Sequence, residues 1–204
     1  MKRLSLKHQS GVSMIETVII FPIVLMIALW TIHIGLVYQA RANLEYAALM
    51  GARVGAVTSI NLAQMRTEIA RRMTASEVGN VPLGAADIRI TVLNPTNAMF
   101  SDCGEIPVNP AICGPGINNC EIPNFGLQFR PTSAICDGVN IQDANLLRIR
   151  VSYNFDSKVP FMNVRLFASD TGNGTPDGTT INAVATVRMQ TPAQRRNDNF
   201  DAFL

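Results

Sequence analysis

Histidine is scarce in this chain of 204 residues, which contains only His8 and His33. Both fall within the first 33 residues, in or before a long apolar run, so we expect neither to share a depth with the four cysteines further along the chain. A Ser-His-Asp triad and an H-E-x-x-H zinc motif need histidine, and the P-loop pattern G-x-x-x-x-G-K-[ST] is absent too. We therefore expect no catalytic residues, no enzyme activity and no cofactor.

The chain also lacks a strong excess of either charge. Its 17 basic and 15 acidic residues leave a formal net charge of +2. One basic cluster, formed by Arg66, Arg71 and Arg72, has no aromatic residues interleaved with it. Nucleic-acid interfaces combine a basic surface with such aromatic or motif signals. We expect this cluster to be a solvated helix face, and we expect no nucleic-acid partner.

A long apolar run near the N-terminus is the clearest positive feature. From Val12 to Tyr38 the only charged residue is Glu16. A helix over the 22 residues Thr17–Tyr38 would be about 33 Å long at ~1.5 Å per residue, which matches a hydrocarbon core of roughly 30 Å. Lys2, Arg3 and Lys7 precede the run, so its N-terminal side should be cytoplasmic. Pro22 predicts a kink near Thr17 and Val18.

Glu16 needs an explanation, because a carboxylate at a helix centre in a membrane costs roughly 2.5–3.5 kcal/mol, and less near the interface. In one interpretation it marks the membrane boundary and stays hydrated. In the other, the chain is cut after Gly11. Val12 would then carry a new α-amino group close to the Glu16 carboxylate, in the same chain or in a neighbour.

The pattern of a basic leader, Gly11, four residues, Glu16 and an apolar helix resembles prepilins of the type IV class. Over roughly residues 8–57 it is also similar to TadE-like proteins, which are minor pilins of tight-adherence (Tad) pili. The matching residues are Glu16, Pro22, Gly35, Tyr38 and the segment Ala48-Leu49-Met50-Gly51-Ala52-Arg53. The chain departs from that pattern at Thr17, where an aromatic residue is usual, and just before Gly35, where an acidic residue is missing.

The resemblance implies a minor pilin, or pseudopilin, that takes part in assembly of a Tad pilus and hence in surface attachment. A prepilin peptidase would cut between Gly11 and Val12, and Glu16 would help to align the subunits. The partners would be that peptidase, other pilins and the inner membrane. The chain would cross this membrane once, with its C-terminal domain in the periplasm, and would stay there or enter a surface pilus. The alternative is an unprocessed periplasmic binding module on a permanent anchor.

Two helices are predicted beyond the bilayer. Gln39–Val57 has no proline and is rich in helix-forming residues. Ala47, Gly51 and Gly55 recur every four residues along it, and such small residues allow close packing, either on the protein's own domain or on neighbouring pilins. A second helix should start at Leu62, after a capping box formed by Asn61 and Gln64, and end near Ala75.

Three alternating segments then predict β-strands with one buried face. They are residues 88–92, 147–153 and 181–189, and only Val184 breaks the alternation. The fold class is therefore α+β: a long N-terminal helix, a short helix, and a small antiparallel sheet with a stapled loop region. We divide the chain into a leader (1–11), a transmembrane helix (12–38), helices (39–78), a β-rich part (79–192) and a polar tail (193–204), in which Phe200, Phe203 or Leu204 can dock.

Four cysteines lie in a segment without regular periodicity, at Cys103, Cys113, Cys120 and Cys136. An even number beyond an export segment indicates two disulfides in an oxidising compartment. The sequence leaves all three pairings open, and we favour Cys103–Cys136 enclosing Cys113–Cys120. No C-x-x-C pair and no nearby histidine support zinc. The loop 170–177, from Asp170 to Asp177, lacks the EF-hand pattern and is interpreted as a glycine-rich turn. We therefore expect no metal site.

Overall fold

A computed structural model describes residues 14–74, 88–113, 117–131, 133–156, 178–196 and 202–203. It confirms the α+β class: helices pack against a three-stranded antiparallel sheet, and the disulfide-stapled region lies at the periphery. The helices are α1 (Met14–Val57), α2 (Leu62–Met73), α3 (Asn97–Cys103) and α4 (Ile141–Ala144). The strands are β1 (Ile88–Asn94), β2 (Glu121–Ile122), β3 (Ile135–Cys136), β4 (Val139–Asn140), β5 (Leu146–Asp156), β6 (Gly178–Arg188) and β7 (Ala193–Gln194).

Helix α1 is one continuous element of 44 residues that includes Pro22. It continues well beyond Tyr38, as its composition predicts. The kink expected from Pro22 stays a prediction. The buried residues of α1 all lie between Ala40 and Ala56, so the N-terminal half carries no part of the protein core. The helix therefore belongs to the folded domain only through its C-terminal half.

Helix α2 folds back on α1 through a tight connection. Ser59 and Ile60 have φ of 53° and 62°, a left-handed region that a β-branched residue rarely adopts. The Ile60 N–H donates to the carbonyl of Gly55 at 2.9 Å and closes the end of α1. The Ile60 side chain is fully buried, so core packing compensates for an unfavourable local conformation of roughly 1–3 kcal/mol.

The start of α2 is fixed by a side-chain cap. Asn61 Oδ1 accepts the backbone N–H of Gln64 at 3.1 Å. The reciprocal bond of a capping box is missing among the described residues, so only half of the predicted motif forms. The helix begins at Leu62 as predicted and ends at Met73, two residues before the predicted position. Its apolar face is buried and consists of Leu62, Met65, Ile69 and Met73.

The opposite face of α2 holds its charged residues. Glu68 pairs with Arg72 at 2.8 Å and with Arg71 at 2.8 Å. The hydrogen bond from Arg72, followed by the contributions of Arg71, holds the pKa of Glu68 below its ordinary value. Arg72 also lies 5.8 Å from the ring centre of Tyr46 on α1. The predicted solvated face thus includes one arginine that joins the two helices.

The main sheet is antiparallel in the order β1-β5-β6. Central strand β5 pairs with β1 from Ile88↔Tyr153 to Asn94↔Arg148, and with β6 over its whole length. One face is buried against α1 and α2 and includes Ile90, Ile149, Val151 and Ala183. Val184 points to the open face and is 48% exposed, so the strand alternation continues through it. Residues 157–177, between β5 and β6, lie outside the described residues.

Short elements surround this core. Strand β2 pairs with β7 and β3 pairs with β4. The tail docks through Phe203, which is buried, forms a bridge with Val92 and lies edge-on to Phe100 at 5.3 Å between ring centres. Beyond the opposite edge strand, β6, the N–H groups of Gln190 and Thr191 both donate to the carbonyl of Ala56. These bonds attach the segment after β6 to the end of α1.

Candidate functional site

The sequence-predicted cleavage residues Gly11 and Val12 lie outside the described residues. Helix α1 begins at Met14, and Glu16 lies exposed in its first turn. A carboxylate at this position is favoured by the positive end of the helix dipole. Within the described part of the chain, no cation forms an ion pair with Glu16. The only charge of the apolar segment is thus available to a group from elsewhere.

The surface that follows Glu16 is almost entirely apolar and exposed. The large exposed side chains of this segment include Ile15, Val18, Ile19, Ile20, Phe21, Ile23, Val24, Leu25, Met26, Ile27, Trp30, Ile32 and Ile34. Among the described helices, α1 alone is long and apolar enough to cross a membrane. An apolar surface of this extent is unfavourable in water. The segment is compatible with a single membrane anchor.

The folded domain reaches slightly into this segment. The ring centres of His33 and Phe155 are 6.5 Å apart, and His33 is half-buried. His33 precedes Tyr38 by five residues, or about 7.5 Å along the helix. The end of β5 therefore lies beside the last turns of the apolar segment. Up to Ile32, α1 offers 19 described residues, about 28 Å, that the domain leaves largely uncovered.

The small residues Ala47, Gly51 and Gly55 pack against the protein's own domain, and all three are buried. A Cβ atom added at Gly51 would lie 2.5 Å from Cγ1 of Ile69 on α2. One added at Gly55 would lie 2.7 Å from Sδ of Met65 and 2.8 Å from Cδ2 of Leu147. The strip thus allows α2 and β5 to approach α1 closely. Of the two roles that the sequence left open, this is the contact that the structure contains.

We predict that Gly51→Leu lowers the melting temperature of the full chain in detergent, measured by circular dichroism. Overpacking costs roughly 1–3 kcal/mol, which corresponds to about 2–4 °C per kcal/mol in a domain of this size. Ile69→Ala should recover part of the loss in the double variant, because it frees the space that the new side chain needs.

Gly35→Leu is the matched control, because nothing lies within 4 Å of a Cβ atom at Gly35. It should leave the melting temperature nearly unchanged. Equal melting temperatures for Gly51→Leu and the wild type would show that the contact between α1 and α2 is looser than the structure has it.

The stapled region, which we define as residues 97–145, contains two nested disulfides. Cys103 on α3 is bonded to Cys136 on β3, with Cα atoms 5.6 Å apart. Cys113 is bonded to Cys120, with Cα atoms 5.7 Å apart. This is the pairing that we favoured from the sequence. The outer bond attaches the start of the region to its far end, and the inner bond closes a loop of sequence separation 7.

We predict that the outer disulfide stabilises the domain more than the inner one. Chain entropy gives about 3.7 kcal/mol for a separation of 33 and about 2.4 kcal/mol for a separation of 7. Cys103→Ser with Cys136→Ser should therefore lower the midpoint of urea unfolding more than Cys113→Ser with Cys120→Ser. The reverse order would mean that the inner loop, rather than the outer connection, holds the region together.

Metal binding has no support in the described residues. All of their cysteines are in disulfides, and they contain no group of three or more His, Cys, Asp or Glu side chains that could hold an ion. The 170–177 loop lies outside the described residues.

The arginines on the open face of the main sheet were not predicted as a feature from the sequence. Their signal was present in the alternation, as Arg89, Arg148, Arg150 and Arg188 occupy the polar positions of the strands.

Comparisons with known proteins support the N-terminal resemblance. Neither the curated proteins nor the solved structures gave a match. A family model described as TadE-like protein matches residues 11–53. The match begins at Gly11, includes Glu16 and the whole uncovered part of α1, and ends within the segment that packs on the domain. The first quarter of the chain is therefore similar to TadE-like proteins, as its residue pattern predicts.

Proposed function

We propose that this protein is a minor pilin, or pseudopilin, that takes part in assembly of a Tad-type pilus and so in surface attachment. The observation that carries the proposal is the division of α1. Its C-terminal half is built into the domain, while its N-terminal half is apolar and uncovered. The similarity to TadE-like proteins covers both halves. Such a helix can pass from lipid into a bundle of equally apolar helices while the domain keeps its fold.

Glu16 gives this transfer a direction. After cleavage at Gly11, the α-amino group of Val12 in a neighbouring subunit is a cation that the Glu16 carboxylate can approach. At 4 Å and an effective dielectric constant of about 20, the attraction is on the order of 4 kcal/mol. It would reduce the cost of leaving a carboxylate in an apolar environment. The pair would form only in the assembly, and it would set the axial position of one subunit against the next.

The proposed location follows from the basic leader. Lys2, Arg3 and Lys7 favour a cytoplasmic N-terminus, and hence a periplasmic domain. The two disulfides agree with an oxidising compartment. The partners are a prepilin peptidase, other pilin subunits and the inner membrane. The role is structural rather than catalytic, and it needs no cofactor and no nucleic acid.

We predict that the mature chain starts at Val12. In a host with an active prepilin peptidase, the intact mass should show the loss of residues 1–11, and Gly11→Leu should retain them. Detection of Met1 to Gly11 on the mature wild-type protein would contradict the pilin proposal. It would favour the alternative, a permanently anchored periplasmic binding module.

We predict that Glu16→Ala reduces pilus number in electron micrographs but leaves membrane insertion unchanged, since the substitution removes a group that membrane entry disfavours. Glu45→Ala is the control, because Glu45 lies on the same helix at the surface and, among the described residues, pairs only with Arg41, at 3.1 Å. A normal pilus number for Glu16→Ala would mean that the carboxylate only marks the membrane boundary.

A further inference from the structure

The open face of the main sheet carries a row of arginines. Arg89 is opposite Ser152, two residues from Arg150 on the central strand. Arg188 is opposite Leu146, two residues from Arg148. Diagonal neighbours in a sheet are about 7–8 Å apart, so the four arginines form an oblique line from β1 through β5 to β6. All four side chains are exposed.

No described side chain neutralises this row. The other described residues of the face, from Arg148 to Asn154 on β5 and opposite them, are uncharged: Thr91, Asn94, Ser152, Asn154, Thr180, Asn182, Val184 and Thr186. None of the four arginines forms an ion pair with any residue that the structure describes. Like charges at this spacing repel each other. An acidic partner would remove that repulsion, and exposed Val184 beside Arg150 adds an apolar contact.

The orientation of the sheet argues against a lipid surface as this partner. Near one end of β5, Leu147 lies against Gly55, and near the other end Phe155 lies beside His33. Strand β5 therefore runs along α1, in the opposite direction. A helix that crosses the membrane stands close to the membrane normal, with average tilts of about 20°. The arginine face then points sideways, parallel to the membrane plane, toward whatever stands next to the domain.

The same chain carries an acidic surface at the far end of the domain. Between 97 and 145 there are five acidic residues against one basic residue, Arg130, which pairs with Glu105 at 2.7 Å. The acidic residues are Asp102, Glu105, Glu121, Asp137 and Asp143, and all except Glu121 are exposed. Two arginines of the tail also contact this region, since Arg195 donates to the carbonyl of Asn97 and Arg196 forms a bridge with Cys113, so five acidic and three basic residues leave a net charge of −2. This stapled region follows the end of β1, where Asn94 donates to the carbonyl of Asp143 at 3.2 Å. That end is opposite to the one beside His33, and Asn94 is paired there with Arg148, so the acidic surface adjoins the arginine row and extends beyond it, away from the apolar half of α1.

We propose that the arginine row binds the acidic stapled region of a second copy of this chain, displaced along the α1 axis. The contact is heterologous, because it joins two different surfaces, and a bound pair still presents one free surface of each kind. Such contacts continue as a helix unless the rotation closes a ring. The inference rests on the proposed function, and it names the surfaces through which neighbouring periplasmic domains would meet.

A charge exchange tests this contact in the full chain. One variant carries Arg148→Glu and Arg150→Glu, and the other carries Glu105→Lys and Asp143→Lys. Each variant alone should self-associate with a dissociation constant at least about tenfold above that of the wild type. Sedimentation in detergent at low salt measures this constant. An equimolar mixture of the two should recover association, because each reversed surface then meets an opposite charge. Added salt should weaken association of the wild type.

The control variant carries Arg53→Glu and Arg66→Glu, which change the net charge equally but lie on the helices. It should associate like the wild type. Circular dichroism melts of all variants separate loss of contact from loss of fold. A wild type that remains monomeric at low salt overturns the proposal, as does a mixture that fails to recover. Binding of heparin through Arg148 and Arg150 by a monomeric wild type would identify a polyanion as the occupant instead.

These outcomes are distinct from those of the pilin proposal. If the chain keeps its leader but the mixture of variants recovers association, the contact is supported and the pilin proposal is contradicted. A chain that is cleaved and assembles normally but fails the exchange loses this contact alone.

Discussion

The close approach of α2 and β5 to α1, made possible by glycine at Gly51 and Gly55, is the constraint on which the rest of this structure depends. At these two positions there is no room for a Cβ atom beside Ile69, Met65 and Leu147. The contact brings the apolar face of α2 and the buried face of the sheet onto the same side of one helix. Without it, α2 and the main sheet would have no common surface on which to bury their apolar faces.

Because only the C-terminal half of α1 takes part in that contact, the helix has two environments. The half after Ala40 is part of a core, and the half before it is exposed along a continuous apolar surface. Rigid attachment at one end means that any force on the uncovered half is transmitted to the domain. This coupling is what a subunit needs if its helix is extracted from lipid while its domain stays folded. The match to TadE-like proteins over residues 11–53 covers the whole of this transition.

Periodicity made much of this fold predictable. The apolar run, the helical spacing around Met65 and the alternation in β5 each specify an element and its buried face. The strand order, and the place at which Phe203 of the tail docks, were beyond that reasoning, because they depend on contacts between distant segments. Strands of two residues, such as Glu121–Ile122, carry no period at all. At Ile60, burial of the side chain outweighs the preference of a β-branched residue for negative φ, which is the conformation that the sequence alone predicts.

The open face of the sheet illustrates why a site can be visible in a sequence and still be missed. Each strand, taken alone, shows arginine at a polar position, which is ordinary for a solvated surface. Only the antiparallel register aligns Arg89, Arg150, Arg148 and Arg188 into one row, and only the path of β5 along α1 turns that row away from the membrane. The acidic residues are likewise scattered over 97–145 until the disulfides gather them at one end of the domain. The order of the two charged surfaces along α1 is therefore a property of the folded chain, because it depends on how β5 packs against α1 at Gly55 and on its pairing with β1 and β6.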